Sequence, residues 1–393
     1  MSQAACRLSN GGDETDFKSG EGHVREKKRR AAARRSSRDR KPKIVAVDIF
    51  CGAGGLTHGL AKAGIDVRLG VDIDPRCEYP YTANNNAKFL RKSVVQLGSS
   101  DLPSEFDEAP LRLLAGCAPC QPFSMYRQKA DSSDKRWNLL KHFGRLAEEC
   151  DPDFITMENV PNLANQKVFQ KFVRKIERLG FHVSHEVVDC AQFGVPQHRQ
   201  RLVFLASKLA PISLLKPKRK RRSRTVKHAI GKLPSLTAGD ICASDPLHQA
   251  CDLSDLNLKR IRASRPGGTW RDWNKKLVAP CHRKKTGKTY PSVYGRMEWG
   301  QPAPTMTTQY FGFGNGRFGH PTQDRGISLR EGAILQSFPK NYKFVEPSEK
   351  IYRKTIGRLI GNAVPVRLAE VIGNTFVAHI RAYRRALHKS ANS

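Results

Sequence analysis

Cys117-Ala118-Pro119-Cys120 follows a short apolar run, Leu111–Ala115, in a chain of 393 residues. A cysteine on a turn beyond a buried strand is a candidate nucleophile. Backbone N–H dipoles and nearby cations lower a thiol's pKa there, and the thiolate is the reactive form. The same four residues could also be a dithiol redox pair or two inert thiols in a loop. The redox pair is disfavoured, because the cysteines do not open a helix within a small thioredoxin-length unit. No second CxxC and no paired histidines accompany them, so no metal site is expected.

A second constellation lies upstream. Ile44–Phe50 is apolar and β-branched, Gly52-Ala53-Gly54-Gly55 follows it, and Asp72 closes the next apolar run twenty residues after Gly52. A glycine turn of this kind lets a ligand approach the backbone, and a carboxylate ending the second strand can accept both hydroxyls of a ribose. NAD and S-adenosylmethionine sites share the plan, and a plain tight turn has the same appearance. The missing third spaced glycine favours a nucleoside over a pyrophosphate.

These residues need a scaffold, and the pattern supplies one. Strands are expected at Ile44–Phe50, Val67–Asp72, Leu111–Ala115, Phe154–Glu158, Val183–Asp189 and Arg201–Ala206. Helices are expected over Leu56–Ala63, closed by Gly64, over Leu139–Glu149, and over Val168–Leu179, closed by Gly180. Strands alternating with helices predict a right-handed, doubly wound α/β sheet. Beyond Leu209 the regularity fails, and residues 209–327 are expected to form an inserted, irregular second domain. Ser328–Leu335 reads as helical. Pro365 suits the first position of a last helix, whose Leu368, Val371, Ile372, Phe376, Ile380 and Tyr383 share one face. The catalytic domain is therefore expected to comprise residues 43–208 plus 328–386.

Charge speaks to partners. Sixty-nine Lys and Arg against 36 acids leave a net charge of +33, which points to a polyanion. Residues 1–42 read as a disordered basic tail, and eight basic residues between Lys216 and Lys227 form a second run without an acid. No apolar run reaches the ~18 residues of a membrane span, so no membrane partner is expected. The N-terminus has no secretory h-region, and the ten scattered cysteines fit a reducing compartment.

Six segments in order resemble the motifs of the DNA (cytosine-5) methyltransferases. They are Asp48-Ile49-Phe50-Cys51-Gly52-Ala53-Gly54-Gly55-Leu56, Pro119-Cys120-Gln121-Pro122-Phe123-Ser124, Glu158-Asn159-Val160, Gln197-His198-Arg199-Gln200-Arg201, Arg330-Glu331 with Leu335–Pro339, and Gly361-Asn362-Ala363-Val364-Pro365. The resemblance covers about residues 43–386. It implies an S-adenosylmethionine-dependent enzyme that releases S-adenosylhomocysteine. Cys120 would add to carbon 6 of a cytosine swung out of double-stranded DNA. Glu158 would hold ring nitrogen 3, Arg201 would contact the oxygen on carbon 2, and Arg199 would support the site. Phe50 would stack on adenine and Ile73 would cover it. Gly52, Gly54 and Gly55 would lie near the methionine part, and Asp72 would hold the ribose. Leu139 and Asn362 would complete the cofactor pocket. The family usually carries an acid after the third strand, where this chain has Ser93.

For DNA, the resemblance implies a closing loop, Gln121–Trp137, that includes Ser124 and Arg127. It makes residues 209–327 a target-recognition domain, with Trp270, Trp273, Tyr290, Tyr294, Trp299 and Arg296 as a reading surface. Thr305 and Met306 would lie beside the flipped base. With no long regulatory N-terminal region expected, the chain is similar to the compact prokaryotic enzymes. Those are monomeric, cytoplasmic (nuclear in a eukaryotic source) and often work beside a restriction endonuclease. A tRNA-methylating branch carries Cys-Phe-Thr after its Glu-Asn-Val motif, whereas Val160 is followed here by Pro161-Asn162-Leu163. A catalytically dead homologue would not need Cys120, Glu158 and Arg201 together.

Overall fold

The computed structural model describes residues 42–119, 137–217 and 223–391. The apolar runs form β1 (Val45–Ile49), β2 (Asp66–Asp72), β3 (Lys88–Arg91), β4 (Arg112–Gly116), β5 (Phe154–Asn159), β6 (His182–Asp189) and β7 (Gln200–Ser207). They make one sheet in the order β3-β2-β1-β4-β5-β7-β6. Strands β1 to β5 pair in parallel, while β7 runs antiparallel to both of its neighbours. The doubly wound expectation therefore holds, with an antiparallel edge at β7 that strand–helix alternation does not specify. A parallel pair needs a crossover of a dozen or more residues, usually containing a helix. The link from β6 to β7 holds only the short 3-10 turn Cys190–Phe193 and a bend, so the chain turns straight back.

Both faces of the sheet are covered. Alternate strand residues point to opposite sides. Val45, Val47 and Ile49 pack with Phe143 and Leu146 of α2 (Trp137–Cys150) and with Phe169, Phe172 and Ile176 of α3 (Lys167–Arg178). Ile44 and Ala46 pack with Leu56 and Leu60 of α1 (Gly55–Ala63) and with the long C-terminal helix Val366–Ser390. Of that helix's expected apolar face, Leu368, Ile372, Phe376 and Ile380 are buried, at about 1.5–3 kcal/mol of apolar burial each. Val371 and Tyr383 are half-buried. Pro365 is the residue before the first helical position rather than the first.

Between β7 and the C-terminal helix lie a small hairpin, β8 (Ile241–Cys242) with β9 (Asp245–Gln249), and helices α4 (Asp255–Arg262), α5 (Leu329–Leu335) and α6 (Arg353–Asn362). Ser328 and Glu331 cap α5 reciprocally, each side chain accepting from the other residue's N–H. Helix α6 is unanticipated, as is β3. Val226, Ile230, Met297, Met306, Tyr310 and Ile327 share a core with Leu329, Leu335, Ile356 and Ile360. Among the described residues no helix is long and apolar enough to cross a membrane.

The aromatic-rich stretch requires a correction. Trp270 and Trp273 are buried with Ile261 and Phe313, their indole N–H groups donating to Tyr290 O and Ser264 Oγ at 2.9 Å. Arg296 is not a surface reader of DNA. It is only 5 % exposed, and its guanidinium donates to the carbonyls of Ile261, Ser264, His320 and Gln323 and to the Asp324 carboxylate. Five donors in a planar fork suit the gathering of otherwise orphaned carbonyls inside an irregular region.

Candidate active site

Strand order reverses at β1 and β4, and ligands of open α/β sheets bind in the crevice at such a point. Ile49 and Gly116, the last residues of the two strands, are paired in register, so the glycine turn and the Cys117 turn leave the sheet side by side. A cleft of about 640 Å³ opens there.

One wall has the features of a nucleoside site. Phe50 leaves β1 with φ of 63°, a left-handed conformation unusual for an aromatic residue, and it lines the cleft. Gly52, with φ of 53°, donates its N–H to Asp72 Oδ2 at 3.0 Å, and Asp74 N–H donates to Oδ1 at 2.9 Å. Burial, the largest influence, nevertheless pushes the Asp72 carboxyl above its ordinary value. Ile73 is 69 % exposed and lines the cleft. Ser93, Leu139 and Asn362 line it as well. Ser93 follows β3 by two residues, where the family's acid is expected, and its hydroxyl accepts from Val95 N–H at 3.3 Å.

Two glycines do not belong to this wall. A Cβ on Gly54 would lie 2.5 Å from Asn85 Nδ2, and one on Gly55 would lie 2.4 Å from Val364 O. Gly54 and Gly55 therefore serve close packing behind the turn, and of the three expected glycines Gly52 alone faces the cleft.

The opposite wall is polar. Glu158, the penultimate residue of β5, is 3 % exposed, and its Oε1 pairs with Arg201 Nε at 2.9 Å. Cys117 Sγ donates to Glu158 Oε2 at 3.2 Å. Asn159 Nδ2 donates to Ala118 O at 3.0 Å, tying the cysteine turn to β5. Arg199 is buried and donates to Met306 O at 2.9 Å and to Gly361 O at 3.0 Å. It braces the 306–308 and 361–362 segments against the wall, which leaves it poorly placed to bind phosphate. Gln197 Oε1 accepts from Met306 N–H, and Thr305 Oγ1 donates to His198 O. Met306 is buried and lines the cleft, whereas Thr305 is exposed.

Cys120, Ser124, Arg127 and the expected closing loop up to Arg136 lie outside the described residues, as does Lys218–Arg222 of the second basic run, while Trp137 opens α2. The described chain reaches Pro119, which lines the cleft. Sequence reasoning missed the Cys117–Glu158 contact, Thr307, Thr308 and the Arg358–Asp74 ion pair that joins α6 to the cleft rim. Asn159 was legible as part of its triplet. Arg358 carried no signal, because its partner is 284 residues away.

Fold and cleft together define an α/β transferase site, with a nucleoside wall facing a buried carboxylate–guanidinium pair. Residues 44–378 match the model of the C-5 cytosine-specific DNA methylases, and the chain belongs to that family. It is an enzyme that methylates cytosine at carbon 5 in DNA. It is 47 % identical over 347 residues to the Type II methylase M.HgiDII of Herpetosiphon aurantiacus, covering 87 % of this chain and 96 % of that one. It is 31 % identical over 335 residues to the Type II methyltransferase M1.HphI of Haemophilus parahaemolyticus, covering 84 % and 85 %. The solved methyltransferase EhMeth of Entamoeba histolytica is similar in fold, with a TM-score of 0.62, 15 % identity, and coverage of 86 % and 99 %.

Proposed function

We propose that the chain methylates one cytosine within a specific sequence of duplex DNA, with S-adenosylmethionine as methyl donor and Cys120 as nucleophile. One observation carries this reading: a single cleft is lined both by Phe50, Asp72, Ile73 and Ser93 and by Glu158, Arg199 and Arg201. The donor fits the nucleoside wall. The Asp72 carboxylate, steadied by two N–H groups, retains lone pairs for ribose hydroxyls, and Phe50 and Ile73 offer apolar surface to adenine. Gly52, Leu139 and Asn362 complete the pocket, and Ser93 supplies a hydroxyl where the family resemblance implies an acid. When bound, S-adenosylmethionine supplies an electrophilic methyl group, leaving S-adenosylhomocysteine.

Cytosine carbon 5 is a weak nucleophile. In the proposed sequence the Cys120 thiolate forms a bond to carbon 6, and the electron pair of the 5,6 double bond becomes available at carbon 5. A proton shared between Glu158 and ring nitrogen 3 offsets the negative charge that develops there on addition, and Arg201 faces the oxygen on carbon 2. After methylation a base removes the carbon-5 proton, the sulfur–carbon bond breaks, and the double bond returns. Arg199 holds the surrounding segments in place.

The target must leave the duplex to reach this cleft. Ser124 and Arg127 are proposed to contact the DNA backbone from a closing loop, with Thr305 and Met306 beside the extruded base. We assign catalysis to residues 43–208 with 328–386, and target reading to 209–327. Similarity to two Type II methylases supports a role in restriction–modification, and the chain is proposed to act as a cytoplasmic monomer beside a cognate endonuclease. Bisulfite sequencing of DNA from cells expressing the chain tests the proposal. Protected cytosines should recur in one sequence context, and DNA with no protected cytosine would overturn it.

A further inference from the structure

The nucleophile role leaves the first thiol of Cys117-Ala118-Pro119-Cys120 without a task. We propose that Cys117 is a positioning residue for Glu158, holding the second carboxylate oxygen ready until the base arrives. The proposal rests on the role assigned to Glu158 above.

Geometry fixes the thiol. Cys117 N–H donates to Ile49 O at 3.2 Å, extending the β1–β4 pairing by one residue, and the next carbonyl, Ala118 O, is held by Asn159 Nδ2. Gly116 lets the strands close this tightly, because a Cβ there would lie 2.9 Å from Ile49 O. Residues 117 and 118 are thus pinned to β1 on one side and to β5 on the other, and Sγ lies 3.2 Å from Glu158 Oε2.

The carboxylate needs this second contact. Arg201 Nε lies 2.9 Å from Oε1 as an ion pair without hydrogen-bond geometry. The last torsion of a glutamate is broad and two-fold, so one ion pair leaves the group free to exchange its oxygens. A donor on Oε2 removes that freedom and assigns the oxygens different tasks: Oε1 stays with the cation, and Oε2 is kept for the ring. A thiol suits the waiting position because it donates weakly. The N–H of a base can take its place at little cost.

The test compares Cys117→Ala with Cys117→Ser, Cys120 being kept. Alanine and serine fill nearly the same volume, and only serine donates a hydrogen bond. The single-turnover rate of methyl transfer, and the rate of adduct formation with 5-fluorocytosine DNA, should fall roughly tenfold in Cys117→Ala. Dissociation constants for duplex DNA and S-adenosylmethionine should not change. Cys117→Ser should recover most of the rate. Wild-type rates in Cys117→Ala, or equal losses in the two variants, would overturn the proposal. If the alanine variant does not fold, Cys117→Val also lacks a donor and serves in its place. Glu158→Gln is measured alongside. If it turns over normally, the role of Glu158 itself is wrong; if it is slow while Cys117→Ala is not, only the role of Cys117 fails.

Discussion

Arg201 at the head of β7 reaches Glu158 near the end of β5, Nε to Oε1 at 2.9 Å, with the two side chains 11 % and 3 % exposed. The pair exists because β7 runs antiparallel to β5, which brings the start of one strand to the end of the other. Removing one partner of a buried ion pair strands the other charge, at about 3–5 kcal/mol. Arg201→Ala should therefore lose both activity and stability. Glu158→Gln removes the charge but keeps the shape and an oxygen that can still accept from the guanidinium, so it should lose about 100-fold in single-turnover rate and less stability than Arg201→Ala. Rapid-quench kinetics with urea unfolding on both variants checks this, and equal stability losses in the two would contradict it.

Replacement of Cys120 by alanine should abolish methyl transfer and leave duplex affinity within about threefold of wild type. The wild-type chain should form a covalent adduct at Cys120 with DNA containing 5-fluorocytosine, because fluorine does not leave as a proton does. Mass spectrometry of the trapped peptide reads the residue directly, and an adduct on any other cysteine would refute the assignment.

Asp72→Ala removes the carboxylate that Gly52 and Asp74 hold in place. Binding of S-adenosylhomocysteine, followed by calorimetry, should weaken about 10- to 100-fold, through loss of both ribose contacts and the order of the glycine turn. Asp72→Asn keeps an acceptor and should lose less. Unchanged affinity in the alanine variant would move the ribose elsewhere.

Asp48 makes a prediction about pH. It is fully buried in β1, one oxygen accepts from Thr57 Oγ1 at 2.7 Å, and burial pushes its carboxyl up to about 7. The native state thus favours the protonated form more than the unfolded chain does. This contribution to stability is fully present below about pH 4, declines as pH rises, and is lost above about pH 7. Asp48→Asn has no proton to lose. Relative to wild type it should gain about 3 kcal/mol between pH 5 and pH 8, at 1.36 kcal/mol per unit. Urea denaturation of both proteins at the two pH values measures the difference, and a gain of opposite sign would show that Asp48 is charged in the fold.

Arg296→Met should destabilise the protein by about 3–5 kcal/mol, since it orphans the carbonyls of Ile261, Ser264, His320 and Gln323. At a temperature where the variant is folded, the salt dependence of its DNA binding should match wild type, because no phosphate contact is lost. A shallower salt slope would return Arg296 to the DNA surface.

Local pattern alone was enough to place six of the seven sheet strands, the helices flanking the sheet, and the order of the family's motifs. Burial and turn chemistry act over a few residues, so β-branched runs such as Val45–Ile49 and stops such as Gly64 can be read where they stand. The short strand β3, half-exposed and without a β-branched residue, offered no such signal. Most of the cleft residues could likewise be named from short motifs. Their partners could not. The antiparallel turn of β7, the thiol of Cys117 on Glu158, the Arg358–Asp74 pair, the retreat of Gly54 and Gly55 behind the turn and the burial of Arg296 all depend on contacts between segments far apart in the chain. An arginine among tryptophans looks the same in sequence whether it faces phosphates or gathers carbonyls. The direction of its side chain is set only when the elements pack.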